Sequence, residues 1–378
     1  MYSEFFRKLH IGAYCLGKNS RTDEHVRDLA ECGIDLLFAV DNDRNLLDLL
    51  DKYGVKAIVN GVVPGWFGAD GRNAGTMHLV NTKDAYISRV ERFVDHSAIV
   101  GIDIGDEPSA LDFPYYGEVV KLLSEYFPDK LLYLNIYPSY GMRASAGEAQ
   151  ARLELGTEGY AEYLSKYFES VKLPYLSIDH YPYSSSIDRF ISDLKEASNA
   201  AKANGIPLMT VLQVNSHRED VFLGEDEIRL QAWCALAFGT RAISWACYGT
   251  GWWYNNVLDK SGEKTEQYEK LRAVNREIRY FATEYDKHRH IGTRLLKRGD
   301  RLATPLGVLS ASGDVLLGEF KSEDGSPALL AVPLGDSKEV HFTASDTAVH
   351  IMRRQNGCIS KQSVQNMTAK EPIFIFFA

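Results

Sequence analysis

Along the first ~290 residues, short apolar runs rich in Val, Ile and Leu alternate with stretches whose apolar positions recur every three or four residues. The first kind predicts strands buried on both faces, the second amphipathic helices, and their alternation predicts βα units around a parallel sheet. Strands are expected at 10–16, 34–40, 55–60, 99–104, 131–137, 175–179, 207–214 and 242–246. Helices are expected at 22–33, 45–53, 82–96, 115–126, 159–171, 188–204, 225–238 and 263–288, with Thr22 as a cap and Gly33, Gly54, Gly205 and Gly239 as stops. Eight such units make a closed (β/α)8 TIM barrel the economical fold. A doubly wound open sheet is the alternative, but no strand runs into a GxGxxG or P-loop sequence. Beyond residue 292 the helical period stops. Alternating runs at 315–320, 328–334, 340–344, 348–353 and 373–378, separated by Gly, Asp and Ser, predict a small antiparallel, sandwich-like β domain. The expected division is a barrel over 1–291 and a β domain over 292–378.

The chain has 378 residues, 45% of them hydrophobic, which is ample material for a large core. A formal net charge of −9 with scattered Lys and Arg argues against nucleic acid as a partner. Neither a signal peptide nor a membrane span is evident, so a cytoplasmic protein is expected. The five cysteines form no CxxC, so neither a zinc knuckle nor a disulfide framework is expected. No cofactor is implied. Single histidines such as His180 and His217, without HxH or HExxH spacing, are a poor signal for a metal site. No GxSxG supports serine hydrolysis.

A barrel carries its chemistry at the C-terminal ends of its strands. Those ends hold Tyr14 on the first strand, Asn60 on the third, Asp106 and Glu107 on the fourth, and Asn135 and Tyr137 on the fifth. Asp179, His180 and Tyr181 follow the sixth, Gln213 and Asn215 the seventh, and Trp245 and Tyr248 the eighth. Carboxylates, amides, phenols and indoles together suit a sugar: the polar groups hold hydroxyls and the rings stack on the pyranose face. Twenty-one Tyr and five Trp supply the rings. Trp252 and Trp253, on a Gly-flanked loop, and Trp66, on the third loop, are further candidates. The Trp252–Trp253 loop also suits an interface in a homo-oligomer. Glu107 is the sharpest candidate, because an apolar strand has little reason to end in two acids unless they are used. The plain alternatives are a helix cap or an ion pair at the barrel mouth.

Glu107 at the end of the fourth strand, followed by Pro108, resembles the acid/base of clan A glycoside hydrolases, commonly within Asn-Glu-Pro. The eight-strand layout, Trp245 on strand eight and a C-terminal β domain are similar too. The resemblance implies a glycosidase that binds a carbohydrate and uses Glu107 as general acid. One departure matters. That clan carries a nucleophilic Glu on strand seven, where this chain has Gln213, and an amide cannot serve as that nucleophile. Three readings stay open. The enzyme inverts, with Asp179 as the base that activates water. Or the substrate supplies its own nucleophile, since Gly105-Asp106-Glu107 is similar to the Gly-Asp-Glu of hexosaminidases, whose Asp orients an acetamido group. Or the barrel binds carbohydrate without turning it over.

Overall fold

A computed structural model of the chain describes residues 2–61, 74–141, 154–249, 251–335, 339–345, 349–355 and 358–377. Eight parallel strands follow one another: β1 His10–Tyr14, β2 Leu36–Val40, β3 Lys56–Asn60, β4 Ile99–Asp106, β5 Leu131–Asn135, β6 Leu176–Asp179, β7 Leu208–Gln213 and β8 Thr240–Ala246. Their order in the sheet is β5-β4-β3-β2-β1-β8-β7-β6, and a parallel bridge between Ile136 and Ile178 brings the two ends together. The main helices between and after them are α1 Asp23–Glu31, α2 Arg44–Lys52, α3 Lys83–Val90, α4 Phe113–Tyr126, α5 Tyr160–Ser170, α6 Ile187–Ala203, α7 Glu225–Ala237 and α8 Gln267–Tyr285. This is the expected (β/α)8 barrel. Thr22 does cap α1, accepting from the His25 backbone N–H, and Gly33 (φ 83°) and Gly54 (φ 71°) end α1 and α2 in the left-handed region that a side chain resists. Among the described residues, no helix is long and apolar enough to cross a membrane.

The barrel is filled by side chains two residues apart on each strand, as the pleat requires. Gly12 and Tyr14 of β1, Phe38 of β2 and Ser244 of β8 share the lumen: Tyr14 stacks on Phe38 at 4.7 Å, and Phe38 lies 4.7 Å from Tyr133 of β5. Gly12 makes room for this layer. A Cβ there would stand 2.6 Å from the Phe38 ring and 2.7 Å from Ser244 Oγ. Gly12→Ala is therefore expected to cost about 1–3 kcal/mol through overpacking. Calorimetry on Gly12→Ala and on Gly12→Ala/Phe38→Leu checks this, the second change restoring most of the loss.

The chain divides into two compact units, one of residues 1–6, 10–223 and 242–269, the other of residues 7–9, 224–241 and 270–378. In the second, β10 Arg301–Thr304, β11 Gly307–Ala311, β14 Val340–Ala344 and β17 Asn366–Ala369 form one antiparallel sheet. The other consists of β9 His288–Leu296, β12 Val315–Ser322, β13 Pro327–Pro333, β15 Val349–Gln355, β16 Cys358–Ser363 and β18 Ile373–Phe377. Leu309, Leu317, Phe342, Ile351 and Ile375 join the two sheets in one core. Phe374 and Phe376, alternating with Ile373 and Ile375, present the opposite face, where Phe281 of α8 meets Phe374 at 5.1 Å. The boundary expected at 292 falls inside β9, whose pairing with β12 makes its residues one strand.

Candidate active site

The C-terminal ends of β4, β5 and β6 bring four carboxyl-bearing residues together. Asp103 and Asp106 are on β4, Glu107 follows it directly, and Asp179 ends β6. Strict alternation from Asp103 would turn Asp106 out of the lumen. The β4–β5 register shifts between Asp103 and Gly105, and this irregularity lets both acids lie among the lumen groups. Glu107 has a φ of 44°, a left-handed conformation that an acidic residue adopts only at a cost, held here by its N–H donating to the Asn135 carbonyl at 2.9 Å.

A chain of hydrogen bonds sets the orientation of the amide between these acids. The Tyr14 and Tyr133 hydroxyls bond to each other, Tyr133 lies 3.2 Å from Ser177 Oγ, and Ser177 donates to Asn135 Oδ1 at 2.9 Å. Asn135 Nδ2 therefore faces the acids and donates to Asp179 at 2.8 Å and to Asp106 at 3.2 Å. Tyr140 donates to the other oxygen of Asp179 at 3.4 Å. Burial pushes the Asp106 carboxyl up to about 7, with the negative charge of Asp179 adding to the rise and the Asn135 bond opposing it. Burial likewise raises Asp103 well above the carboxylate range, with Asp106 contributing. Asp179 is also raised by burial, against the bonds from Asn135 and Glu107. A hydrogen bond between two carboxyls needs a proton, so Glu107 and Asp179 share one.

The structure brings some expected residues to this cluster and removes others. Tyr137 is nearly buried beside Glu107, and its hydroxyl has no hydrogen-bond partner among the described residues. Asn60 is in register with Asp103. Tyr181 lies in the field of Asp179 and Glu107, with its ring 5.0 Å from Trp253. Trp252 stands edge-on to Tyr14 at 5.9 Å and is 37% exposed, so a ring face is open to a ligand. Its loop is fixed by Asn215, whose Nδ2 donates to the Trp252 carbonyl at 2.7 Å and to Asn256 at 3.0 Å. Asn215 thus supports an aromatic platform rather than holding a hydroxyl.

Four expectations are corrected. His180 cannot hold a substrate hydroxyl, because Nδ1 is bonded to Asp193 of α6 at 2.8 Å and Nε2 to Ser185 at 2.7 Å. It follows the inward Asp179 and so points outward. Trp245 is fully buried and adjoins the lumen-facing Ser244, which turns it to the outer face of β8, where it cannot stack on a sugar. Tyr248 is fully buried as well. Inversion through Glu107 and Asp179 needs ~6.5–9.5 Å between carboxyls to admit a water, whereas these two are hydrogen-bonded. Trp66 lies outside the described residues.

Gln213 is bound to neighbouring loops. Its Oε1 accepts from the Tyr183 N–H at 3.2 Å, and its Nε2 donates to Ser184 Oγ at 3.2 Å and to the Asn215 carbonyl at 3.0 Å. Gln213→Glu would set a carboxylate against that carbonyl in a fully buried position. The expected result is a loss of about 1–3 kcal/mol with no gain in any glycosidase rate, measured by thermal melts and aryl-glycoside assays.

Asp103, Tyr133, Tyr140 and Ser177 belong to the cluster and were not singled out from the sequence. Tyr133 and Ser177 were within reach, since each stands two residues before a recognised member of its own strand. Among the described residues, no group of three His, Cys, Asp or Glu side chains is arranged to hold a metal.

No family model matches the chain. No curated protein matches it either. Solved structures do. A provisionally assigned alpha-L-fucosidase from Bacteroides thetaiotaomicron superposes with a TM-score of 0.52 at 13% identity, over 71% of this chain and 94% of that one. A GH2 beta-galacturonidase from Eisenbergiella tayi, bound to glycerol, superposes with a TM-score of 0.50 at 14% identity, over 71% of this chain and 51% of that one. The chain thus spans about half the length of the second. At these identities the likeness is one of fold, and the fold that this chain shares with both is the barrel.

Proposed function

We propose that the protein is a glycoside hydrolase in which Glu107 is the general acid and the substrate's own 2-acetamido group is the nucleophile. The observation that carries the reading is the Glu107–Asp179 pair, two carboxyls that share a proton beside the raised Asp103 and Asp106. Both neighbouring structures bear glycosidase names, which favours the same reaction class. Two further observations favour substrate assistance. The residue in the strand-seven position is a tethered amide, and Asp179 is too close to Glu107 to leave room for an inverting water.

In this reading the acetamido oxygen attacks C1 while the C1–O bond to the leaving group breaks, and Glu107 gives its proton to the departing oxygen. An oxazoline forms. Glu107, now a carboxylate, takes a proton from water as that water opens the ring, returning a reducing sugar and a reprotonated acid. Asp106 and Asp179 accept the acetamido N–H and orient it. Trp252 and Tyr181 line the ring and Tyr137 meets a hydroxyl.

The test is a panel of nitrophenyl glycosides differing only at C2. Turnover of 2-acetamido sugars, blocked competitively by a thiazoline analogue of the oxazoline, is expected. Turnover of 2-hydroxy sugars with no thiazoline inhibition overturns the assisted route.

A further inference from the structure

We infer that Cys15 and Cys247 form an oxidisable dithiol at the barrel mouth, which a hydroperoxide converts to a disulfide joining the ends of β1 and β8. The pairing of these strands runs from His10 with Ala242 to Ala13 with Trp245, and Cys15 and Cys247 each lie two residues beyond its last pair. Backbone bonds from Tyr248 to Tyr14 at 2.9 Å and from Gly249 to Cys15 at 2.8 Å keep the two segments together past the strand ends. Neighbouring strands lie ~4.8 Å apart, inside the ~4.4–6.8 Å Cα window of a disulfide. The two thiols are hydrogen-bonded to each other.

The surroundings are built around this pair. A Cβ at Gly251 would stand 2.5 Å from Cys247 Sγ and 3.4 Å from Cys15 Sγ, so only glycine lets the aromatic loop lie over both sulfurs. The Trp252 N–H donates to the Cys247 sulfur, which ties the thiols to the loop that faces Tyr14. Cys15 is half-buried, has a left-handed φ of 66°, and lines a cavity of about 480 Å³ together with Lys18, Arg21 and Lys260. Arg21 is paired with Asp41 and Asp43, and burial and the charge of Asp41 oppose an anionic sulfur at Cys15. The bond from Cys247 holds the Cys15 thiol below its ordinary range, and burial pushes Cys247 up. Cys15 is thus the attacking sulfur and Cys247 the resolving one. Cys32 and Cys234 are fully buried, as Cys247 is, but neither lines this cavity.

The chemistry balances with hydrogen peroxide as oxidant. The Cys15 thiolate takes one peroxide oxygen, becoming a sulfenic acid, and the other oxygen leaves as water. The Cys247 sulfur then attacks Cys15, the S–O bond breaks, and a second water leaves. Two thiols are oxidised and one peroxide is reduced.

The test is independent of any glycosidase activity. The full chain is treated with hydrogen peroxide, unfolded, alkylated with iodoacetamide and digested with trypsin. The expected product links the peptide of residues 9–18 to that of 242–260. It is ~2 Da lighter than the two free thiol peptides together and is released by dithiothreitol. In Cys247→Ser, Cys15 should instead be trapped by dimedone as the sulfenic acid. The inference is overturned if wild-type Cys247 is fully alkylated after Cys15 has oxidised, or if the links are spread over Cys32, Cys234 and Cys358.

Discussion

Glu107→Gln is expected to lower kcat/KM by about 10²–10⁴-fold on substrates with a poor leaving group, leaving the fold intact. The size of the loss should depend on the leaving group. An alkyl or sugar alcohol cannot depart without a proton, so it needs the carboxyl that Glu107 supplies beside Asp179. A dinitrophenolate departs unaided, so the same variant should lose much less on a dinitrophenyl glycoside. Comparing the two substrates on both proteins separates an acid from a residue that merely shapes the site, because a misshapen site would lose both rates equally. Equal losses would remove Glu107 from its role.

Asp106→Asn should make the protein more stable while making it a poorer enzyme. The folded protein holds Asp106 at about 7, above the 3.8 of a free carboxyl, because burial and Asp179 disfavour its charge. The sign follows from linkage: a raised group contributes stability that is complete below pH ~4 and is lost as pH rises through ~7. Above that range wild type carries a buried charge that the amide lacks. The variant should therefore be more stable by about 2–4 kcal/mol at pH 8, with the gap closing toward pH 4. Thermal melts across that range measure it. A variant no more stable at pH 8 than at pH 4, relative to wild type, would mean that Asp106 is well solvated.

The barrel was legible because its signal is periodic and long. Strands β1 to β8 are buried on both faces and read as apolar runs, and the Thr22 cap and Gly33 stop act through chemistry confined to a few residues. The β domain was read only in part. Buried β12, β13 and β18 stood out, whereas β10, β16 and β17 carry polar residues on exposed faces and have little apolar alternation. Strand β9 was left unassigned: the expected helix ended at 288, where the strand begins, and the irregular burial of β9 gives no alternation to read. At the site, Asp106, Asn135 and Asp179 were each read off a strand end, and Asn135 bonds both acids. The direction of a side chain was harder. His180 and Trp245 stand next to inward residues and so point outward, and a register shift in β4 gave Asp106 the direction that alternation denied it. Gln213 carries the right residue type for sugar binding, but its partners come from the β6 loop, far away in sequence.

The central claim is that a sugar acetamide and Glu107 together cleave a glycosidic bond. Proton NMR of the first sugar released from a 2-acetamido glycoside tests it most directly. Two displacements at C1 return the anomeric configuration of the substrate, so the retained anomer should appear first and then mutarotate, and Glu107→Gln should slow its appearance. The inverted anomer as first product, or no release of sugar from any acetamido glycoside, would contradict the account.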